Sequence, residues 1–289
     1  MSSAPEPEST VDPRRSLAGI DRSPAGGTVL DVMAGRQTQD MMSRHQLEYC
    51  EPSIWLWRRI VGAAFAFIVI TIAWYLVKLP SGLISDDALP TQTQVATAFN
   101  EVRSQGYAGA TLARHAGASL LRLVLGLGIG SLLGMGLGLA TGAAPLTRTV
   151  IDPISSFFRM VPGLALAPLV VVWFGPGQAA IVAVVAMSVL WTVMGSASDA
   201  RIAVVRGSPV DLPLELIGGI RSGLLLAWAT VLAIETVLAS TGLGAMVWLA
   251  QDRSDVIMVG VYVAGLIGFL LDSSLRAMQY VLVKGSNRS

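Results

Sequence analysis

Five ionisable side chains fall inside or at the edges of long uncharged runs: Arg122, Arg159, Arg221, Glu235 and Asp272. Charge in hydrocarbon is costly, so each must face protein, water or lipid headgroups. Glu235 is the deepest of the five. Read functionally, it is a gate or a pathway-lining group; read structurally, it is one half of an ion pair or hydrogen bond between helices. Arg122 and Arg159 lie near enough to the ends of their runs to snorkel to headgroup level. The motifs of hydrolytic and nucleotide chemistry are missing: there is no HExxH, no GxSxG and no GxxxxGK[ST]. An intramembrane protease needs a Ser/His pair or paired aspartates within its spans. On the sequence, His45 and His115 lie outside the spans, and Asp272 is the one aspartate well inside a span. Cys50 and two distant histidines are too few to build a zinc site. These residues suit a conduit rather than a reaction centre, with no cofactor or metal bound by the chain itself. Active transport by such a chain needs a partner or an ion gradient for energy.

The elements that must carry these residues are membrane helices. Of 289 residues, 53% are hydrophobic and 13% charged, against about 25% charged in soluble domains. The net charge of +1 leaves no dominant basic surface, so nucleic acid is not expected as a partner. Residues 1–53 are polar, lack the apolar core of a signal peptide, and read as a disordered cytosolic tail. Residues 54–284 read as the membrane domain and 285–289 as a short cytosolic tail. Crossing hydrocarbon takes about 20 apolar residues. Ile60–Val77 is the first such run, and the stretch between Arg122 and Arg148 the second. Met160–Ser198 holds two spans, parted at Gly175-Pro176-Gly177. The fifth runs from about Leu214 to Leu238 and the sixth from about Val256 to Val283. The expectation is an all-α polytopic membrane protein of about six helices. With the N-terminus inside, fifteen of the 20 Lys and Arg residues face the cytosol, which sets both termini there. Between the first two spans, Val95, Ala98, Phe99 and Val102 recur at helical spacing, predicting a short amphipathic helix over Thr93–Gln105.

Gly126, Gly130, Gly134, Gly138 and Gly142 repeat every four residues along span 2. A stripe without side chains lets a second helix approach closely. No GxGxxG is present, so these glycines read as packing rather than as a phosphate cradle.

The order of motifs resembles a known family. Ala88-Leu89-Pro90-Thr91 precedes the amphipathic stretch; Ser119-Leu120-Leu121-Arg122 precedes the glycine stripe. Phe158-Arg159-Met160-Val161-Pro162, Ala167-Pro168-Leu169 and Trp173-Phe174-Gly175 follow. Leu212-Pro213, Gly219-Ile220-Arg221, Ile234-Glu235 and Thr241-Gly242-Leu243-Gly244 complete the series. Across roughly residues 55–284 this pattern resembles the membrane permease of bacterial ABC importers for sulfonates, taurine and nitrate. The resemblance implies a type I importer permease core (MetI-like) in the bacterial cytoplasmic membrane. It implies a homodimer of permeases, a cytosolic ABC ATPase dimer holding ATP and magnesium, and an extracytoplasmic solute-binding protein that delivers a small solute, often an anion. Met160 and Pro162 in span 3, with Trp228 and Glu235 in span 5, are the candidate pathway or gate residues, and Trp248 belongs to the candidate outer gate. Each serves equally well as core packing. Pro162 frees a backbone carbonyl and bends its helix.

One departure matters. The family carries a cytosolic coupling helix with Glu-Ala-Ala between spans 4 and 5. Here Leu212-Pro213 is present but Glu-Ala-Ala is not, and only Asp199–Asp211 separates the end of span 4 from Leu212. Arg201, Ile202, Val205 and Arg206, with Gly207 in the following turn, are the candidates for a residual ATPase contact. The alternatives are a permease-derived chain that has lost its coupling and, further off, an ion-driven secondary transporter.

Overall fold

The computed structural model describes residues 52–78, 88–208 and 211–286. The expected N-terminal tail, apart from Pro52 and Ser53, lies outside the described residues, as do Asp86, Asp87, Pro209 and residues 287–289. Ala64–Ser289 forms one compact unit, and the fold below is that unit's. Among the described residues every regular element is a helix.

Helix α1 (Pro52–Lys78) carries the first span, Ile60–Lys78. Phe67 and Trp74 on it meet the ring of Tyr262, and the Trp74 indole N–H donates to the Pro90 carbonyl at 3.1 Å. Helix α2 (Gln92–Ser104) is the predicted amphipathic helix. Thr91 caps it reciprocally: the Gln94 N–H donates to Thr91 Oγ1, and the Thr91 N–H donates to Gln94 Oε1. Ala98 and Val102 turn inward. Replacing Thr91 by alanine is expected to cost about 1 kcal/mol of local stability. Hydrogen exchange would show it as faster exchange confined to the first turns of α2.

Helix α3 (Leu112–Ala143) is longer than the expected second span and takes Arg122 and His115 within it. His115 is thus on the helix of the second span, in its first turn. The third crossing is also built differently from the expectation. It does not start at Met160. Helix α4 (Pro145–Met160) and helix α5 (Ala167–Phe174) flank a 3-10 turn, Gly163–Leu166, and the two halves bend by 95°. Pro162 opens the turn and cannot donate an N–H to continue α4. An apolar stripe on α4, Val150, Ile154 and Phe157, points outward, as suits a helix whose solvent is lipid.

Helix α6 (Gln178–Val205) follows the Gly175–Gly177 turn, where Gly175 and Gly177 have φ of 74° and 136°. Helix α7 (Leu212–Leu238) starts on an Asp211 cap with Pro213 in its first turn. A short helix α8 (Leu243–Leu249) leads to α9 (Ser254–Ser286). Among the described residues five helices are long and apolar enough to cross a membrane, and the α4–α5 pair, bent by 95°, brings the number to six if its two halves count as one span.

Two cores hold the unit together. Leu123, Val170, Ile181, Val184, Val189, Leu224 and Ile234 join α3, α5, α6 and α7. Ala98, Val102, Leu243, Met246, Val256 and Val259 join α2, α8 and α9. Trp228 packs against both, and its indole N–H donates to the Ala264 carbonyl at 3.2 Å.

Candidate functional site

A buried polar cluster lies where α3, the start of α6 and the end of α7 meet the 239–242 turn. Its centre is Glu235, fully buried. Arg122 Nη1 donates to Glu235 Oε1 at 2.6 Å and to the Thr241 carbonyl at 2.5 Å, while Arg122 Nε donates to Gln178 Oε1 at 2.9 Å. Ser119 Oγ donates to Glu235 Oε2 at 2.8 Å, and the Gly244 N–H donates to the same oxygen at 3.0 Å. The Leu243 N–H donates to Ser119 Oγ at 2.8 Å. Both carboxylate oxygens and the facing guanidinium nitrogens are thus satisfied, the condition under which a buried ion pair is tolerated.

The Thr241-Gly242-Leu243-Gly244 motif wraps this carboxylate. A Cβ on Gly242, at φ 139°, would stand 2.3 Å from Glu235 Cδ, and one on Gly244 would stand 2.1 Å from the Leu232 carbonyl oxygen. His115, also fully buried, ties the same turn to the α2–α3 link. The Gly242 N–H donates to His115 Nδ1 at 3.0 Å, and Nε2–H donates to the Tyr107 carbonyl at 2.9 Å.

Ser119, His115 and Glu235 are the residue types of a hydrolytic triad, but the bonds run the wrong way. The serine hydroxyl donates to the carboxylate, and both imidazole nitrogens are engaged by backbone, so the imidazole does not reach Ser119 Oγ. The cluster is a structural knot. Arg122 does not snorkel, contrary to expectation: it is 5% exposed because the carboxylate holds it inside.

The remaining candidate pathway residues are dispersed. Met160, 86% exposed, and Pro162 sit at the α4–α5 break; Trp228 lies between α7 and α9 against Gly268; Trp248 is on the exposed side of α8. The structure brings none of them into contact with Glu235. The glycine stripe faces α6 along its length. A Cβ on Gly130, Gly134, Gly138 or Gly142 would come within 2.4–2.6 Å of the carbonyl oxygens of Ala186, Leu190, Met194 and Ser198, and one on Gly126 would meet Val185. Gly128 and Gly136 face open space.

At the opposite end of the bundle, Arg201, Ile202 and Val205 are the last turns of α6 rather than a separate helix. The Arg201 stem packs against Gly142. Arg206 caps α6, Gly207 turns with φ of 73°, and Val205 through Ser208 are exposed. Away from the knot, Arg221 Nε and Arg276 Nε both donate to Asp272, at 2.7 and 3.0 Å, so Asp272 bridges α7 and the later turns of α9. Between α8 and α9, Arg253 holds Glu101 and Asp255, each at 3.0 Å, which pins α2 to this end. Asp255 and then Glu101 hold the Arg253 guanidinium above its ordinary pKa.

Apolar rods locked by a sealed polar knot, with a bent helix pair between the second and fourth, define an all-α polytopic membrane protein. No family model matches the chain. It is 36% identical to the taurine transport system permease protein TauC of Escherichia coli, over 73% of this chain and 84% of that protein. It is 30% identical to the aliphatic sulfonates transport permease protein SsuC of the same bacterium, over 78% and 91%. Against the bicarbonate transport system permease protein CmpB of Synechocystis it is 27% identical, over 58% and 68%. The chain belongs to the ABC transport permeases of the taurine, sulfonate and bicarbonate group. It is a transport subunit of the inner membrane with several crossings, and not an enzyme.

These comparisons also show a difference in length. The 235 aligned positions draw on 73% of 289 residues, about 211, so about 24 positions of TauC face a gap in this chain. About 21 positions of SsuC, from 246 aligned and 78% of the chain, likewise have no counterpart.

Proposed function

We propose that this chain is the membrane-spanning subunit of an ATP-driven importer for a small anion such as a sulfonate, taurine, nitrate or bicarbonate. It works as a homodimer, with both termini in the cytosol. A binding protein delivers the solute from outside, and a cytosolic ATPase dimer, which holds the ATP and magnesium, drives alternation between outward- and inward-facing states. The observation that carries this reading is the identity of 36% and 30% to taurine and sulfonate permeases over most of the chain. Expressed with the ATPase and binding protein of its own operon, the chain is expected to support ATP-dependent uptake of one of these four anions. Uptake of none of them, or uptake that persists without ATP and follows an ion gradient, would overturn it.

A second reading is favoured by one feature: the α6–α7 connection. It spans only Arg206–Asp211, and we place the residues missing relative to the relatives there. In this reading a permease fold survives whose motor contact is reduced to the Val205–Ser208 knuckle or lost. If the knuckle still couples, Arg206→Glu with Val205→Ser is expected to abolish co-purification of the ATPase while leaving the thermal midpoint of the chain unchanged. Arg201 is left intact in this test, because its stem packs on α3. A wild-type chain that retains no ATPase under conditions preserving the complex identifies the uncoupled form.

A further inference from the structure

We propose that Arg221 and Arg276 form a phosphate-binding site for an anionic phospholipid, at the end of the α7–α9 seam nearer the Val205–Ser208 turn. The inference goes beyond the import reading and does not depend on which solute is carried.

One carboxylate places the two guanidiniums side by side. Arg221 Nε donates to Asp272 Oδ1 at 2.7 Å, and Arg276 Nε donates to Asp272 Oδ2 at 3.0 Å. The aspartate is the floor of the cluster, its side chain 10% exposed, and the arginine side chains, 22% and 33% exposed, are the rim. Arg221 bonds Asp272 through Nε alone, and its two Nη nitrogens have no acceptor among the described residues. Glu215, earlier on α7, is exposed and forms no ion pair with it. In the polar knot, by contrast, one arginine faces one carboxylate and both are sealed. Here two guanidiniums share one carboxylate, the three groups carry a net positive charge, and the donors are within reach from outside the protein.

Depth selects the ligand. Arg253 and Asp255 mark the charged edge at the start of α9. Asp272 and Arg276 lie about 26 and 32 Å beyond Asp255 along the helix, at 1.5 Å per residue. On α7, Arg221 lies about 26 Å from Leu238 by the same rise. The hydrocarbon layer is about 30 Å thick, so both guanidiniums reach its opposite edge, at the level of lipid phosphates. Tyr280 stands one turn beyond Arg276 on the same side of α9, a residue type enriched at membrane–water interfaces. Leu225, exposed, stands one turn deeper than Arg221 on the same side of α7, where an acyl chain packs.

A planar guanidinium grips two oxygens of a phosphate at once, and basic pockets between membrane helices hold anionic headgroups. Phosphatidylcholine brings a fixed positive charge up to two arginines, whereas phosphatidylglycerol brings none. A free phosphate ion offers the same oxygens but no chain to lie along Leu225.

The test uses the full-length chain in nanodiscs of phosphatidylcholine, alone or mixed with phosphatidylglycerol. Native mass spectrometry of the chain released from the mixed discs reads which lipid stays bound. The wild type is expected to keep phosphatidylglycerol and to melt at a higher midpoint in the mixed discs, by linkage. Arg221→Gln is expected to lose both effects. Arg103→Gln, which removes an exposed arginine of α2, is expected to lose neither. Arg221→Lys keeps the ion pair with Asp272 but not the fork, so it reads the site even where Arg221→Gln fails to fold. Its retention of the lipid is expected to weaken roughly tenfold, the worth of one hydrogen bond to a charged group. No preference for phosphatidylglycerol in the wild type, an equal loss in Arg103→Gln, or wild-type retention in Arg221→Gln or Arg221→Lys overturns the site. Millimolar inorganic phosphate added to phosphatidylcholine discs is expected to leave the midpoint unchanged. A rise there equal to that in the mixed discs gives the arginines to a soluble anion and overturns the lipid assignment.

Discussion

Glu235→Ala is expected to lower the unfolding free energy of the reconstituted chain by about 3–5 kcal/mol, because it strands a buried guanidinium. Interhelical hydrogen bonds in membranes average only about 0.6 kcal/mol, since the separated helices find other partners. Here that compensation is weak. Arg122 is enclosed by α3, α6 and α7, and the nearest other acceptors, Gln178 Oε1 and the Thr241 carbonyl, already take its bonds but carry no charge. Glu235→Gln preserves the shape and the Ser119 contact and should cost less than Glu235→Ala. Arg122→Met with Glu235→Leu removes both charges and should recover more than half of the single-variant loss. Denaturant titration in bicelles reads these values, with wild type, Arg122→Met, Glu235→Leu and the double variant forming the cycle that isolates the pair. A Glu235→Ala chain within about 1 kcal/mol of wild type would mean that the knot is not what locks the 239–244 turn to α3. The same result would restore the gate reading, in which Glu235 spends part of its time unpaired.

Much of this architecture is legible in the residues, for identifiable reasons. Crossings declare themselves by length and lack of charge, so α1, α6, α7 and α9 fall close to their expected bounds. The α2 helix is marked by its periodic apolar residues and by Thr91 and Gln94 at capping spacing. The polar knot is not legible. Arg122 and Glu235 are 113 residues apart, and nothing local says that one helix end meets the other. The signal available was weak: a serine and an arginine three apart on one span, an acid near the end of another, and a two-glycine turn after it. The broken crossing was missed for a different reason. Thr149, Asp152 and Arg159 make α4 look too polar for a span, so the sequence points to the apolar run that begins at Met160 as the start of the third crossing. That run holds only 15 residues before Gly175, short of a full crossing. Counting that shortfall would have pushed the start back into α4.

The glycine stripe supports a paired experiment whose control lies on the same helix. Gly130 and Gly128 are two residues apart on α3, yet a Cβ on the first would stand 2.5 Å from the Ala186 carbonyl oxygen, while one on the second meets nothing within 4 Å. The carbonyl belongs to a helix backbone and cannot turn aside as a flexible side chain can. Gly130→Ala, Gly134→Ala and Gly138→Ala must therefore push α3 away from α6, which loosens contacts along much of the interface. Each is expected to cost about 1–3 kcal/mol through overpacking, and Gly130→Leu more than that. Gly128→Ala and Gly136→Ala should be neutral or stabilising by about 0.5–1 kcal/mol, because alanine is the better helix former and has room. Helix propensity acts in the same direction in both sets, so the difference between them isolates the close approach. The measurement is the unfolding midpoint of each variant in nanodiscs, alongside cysteine crosslinking from α3 to α6. If Gly130→Ala and Gly128→Ala melt together, the two helices do not approach at the stripe, and the packing of the whole bundle around α6 must be redrawn.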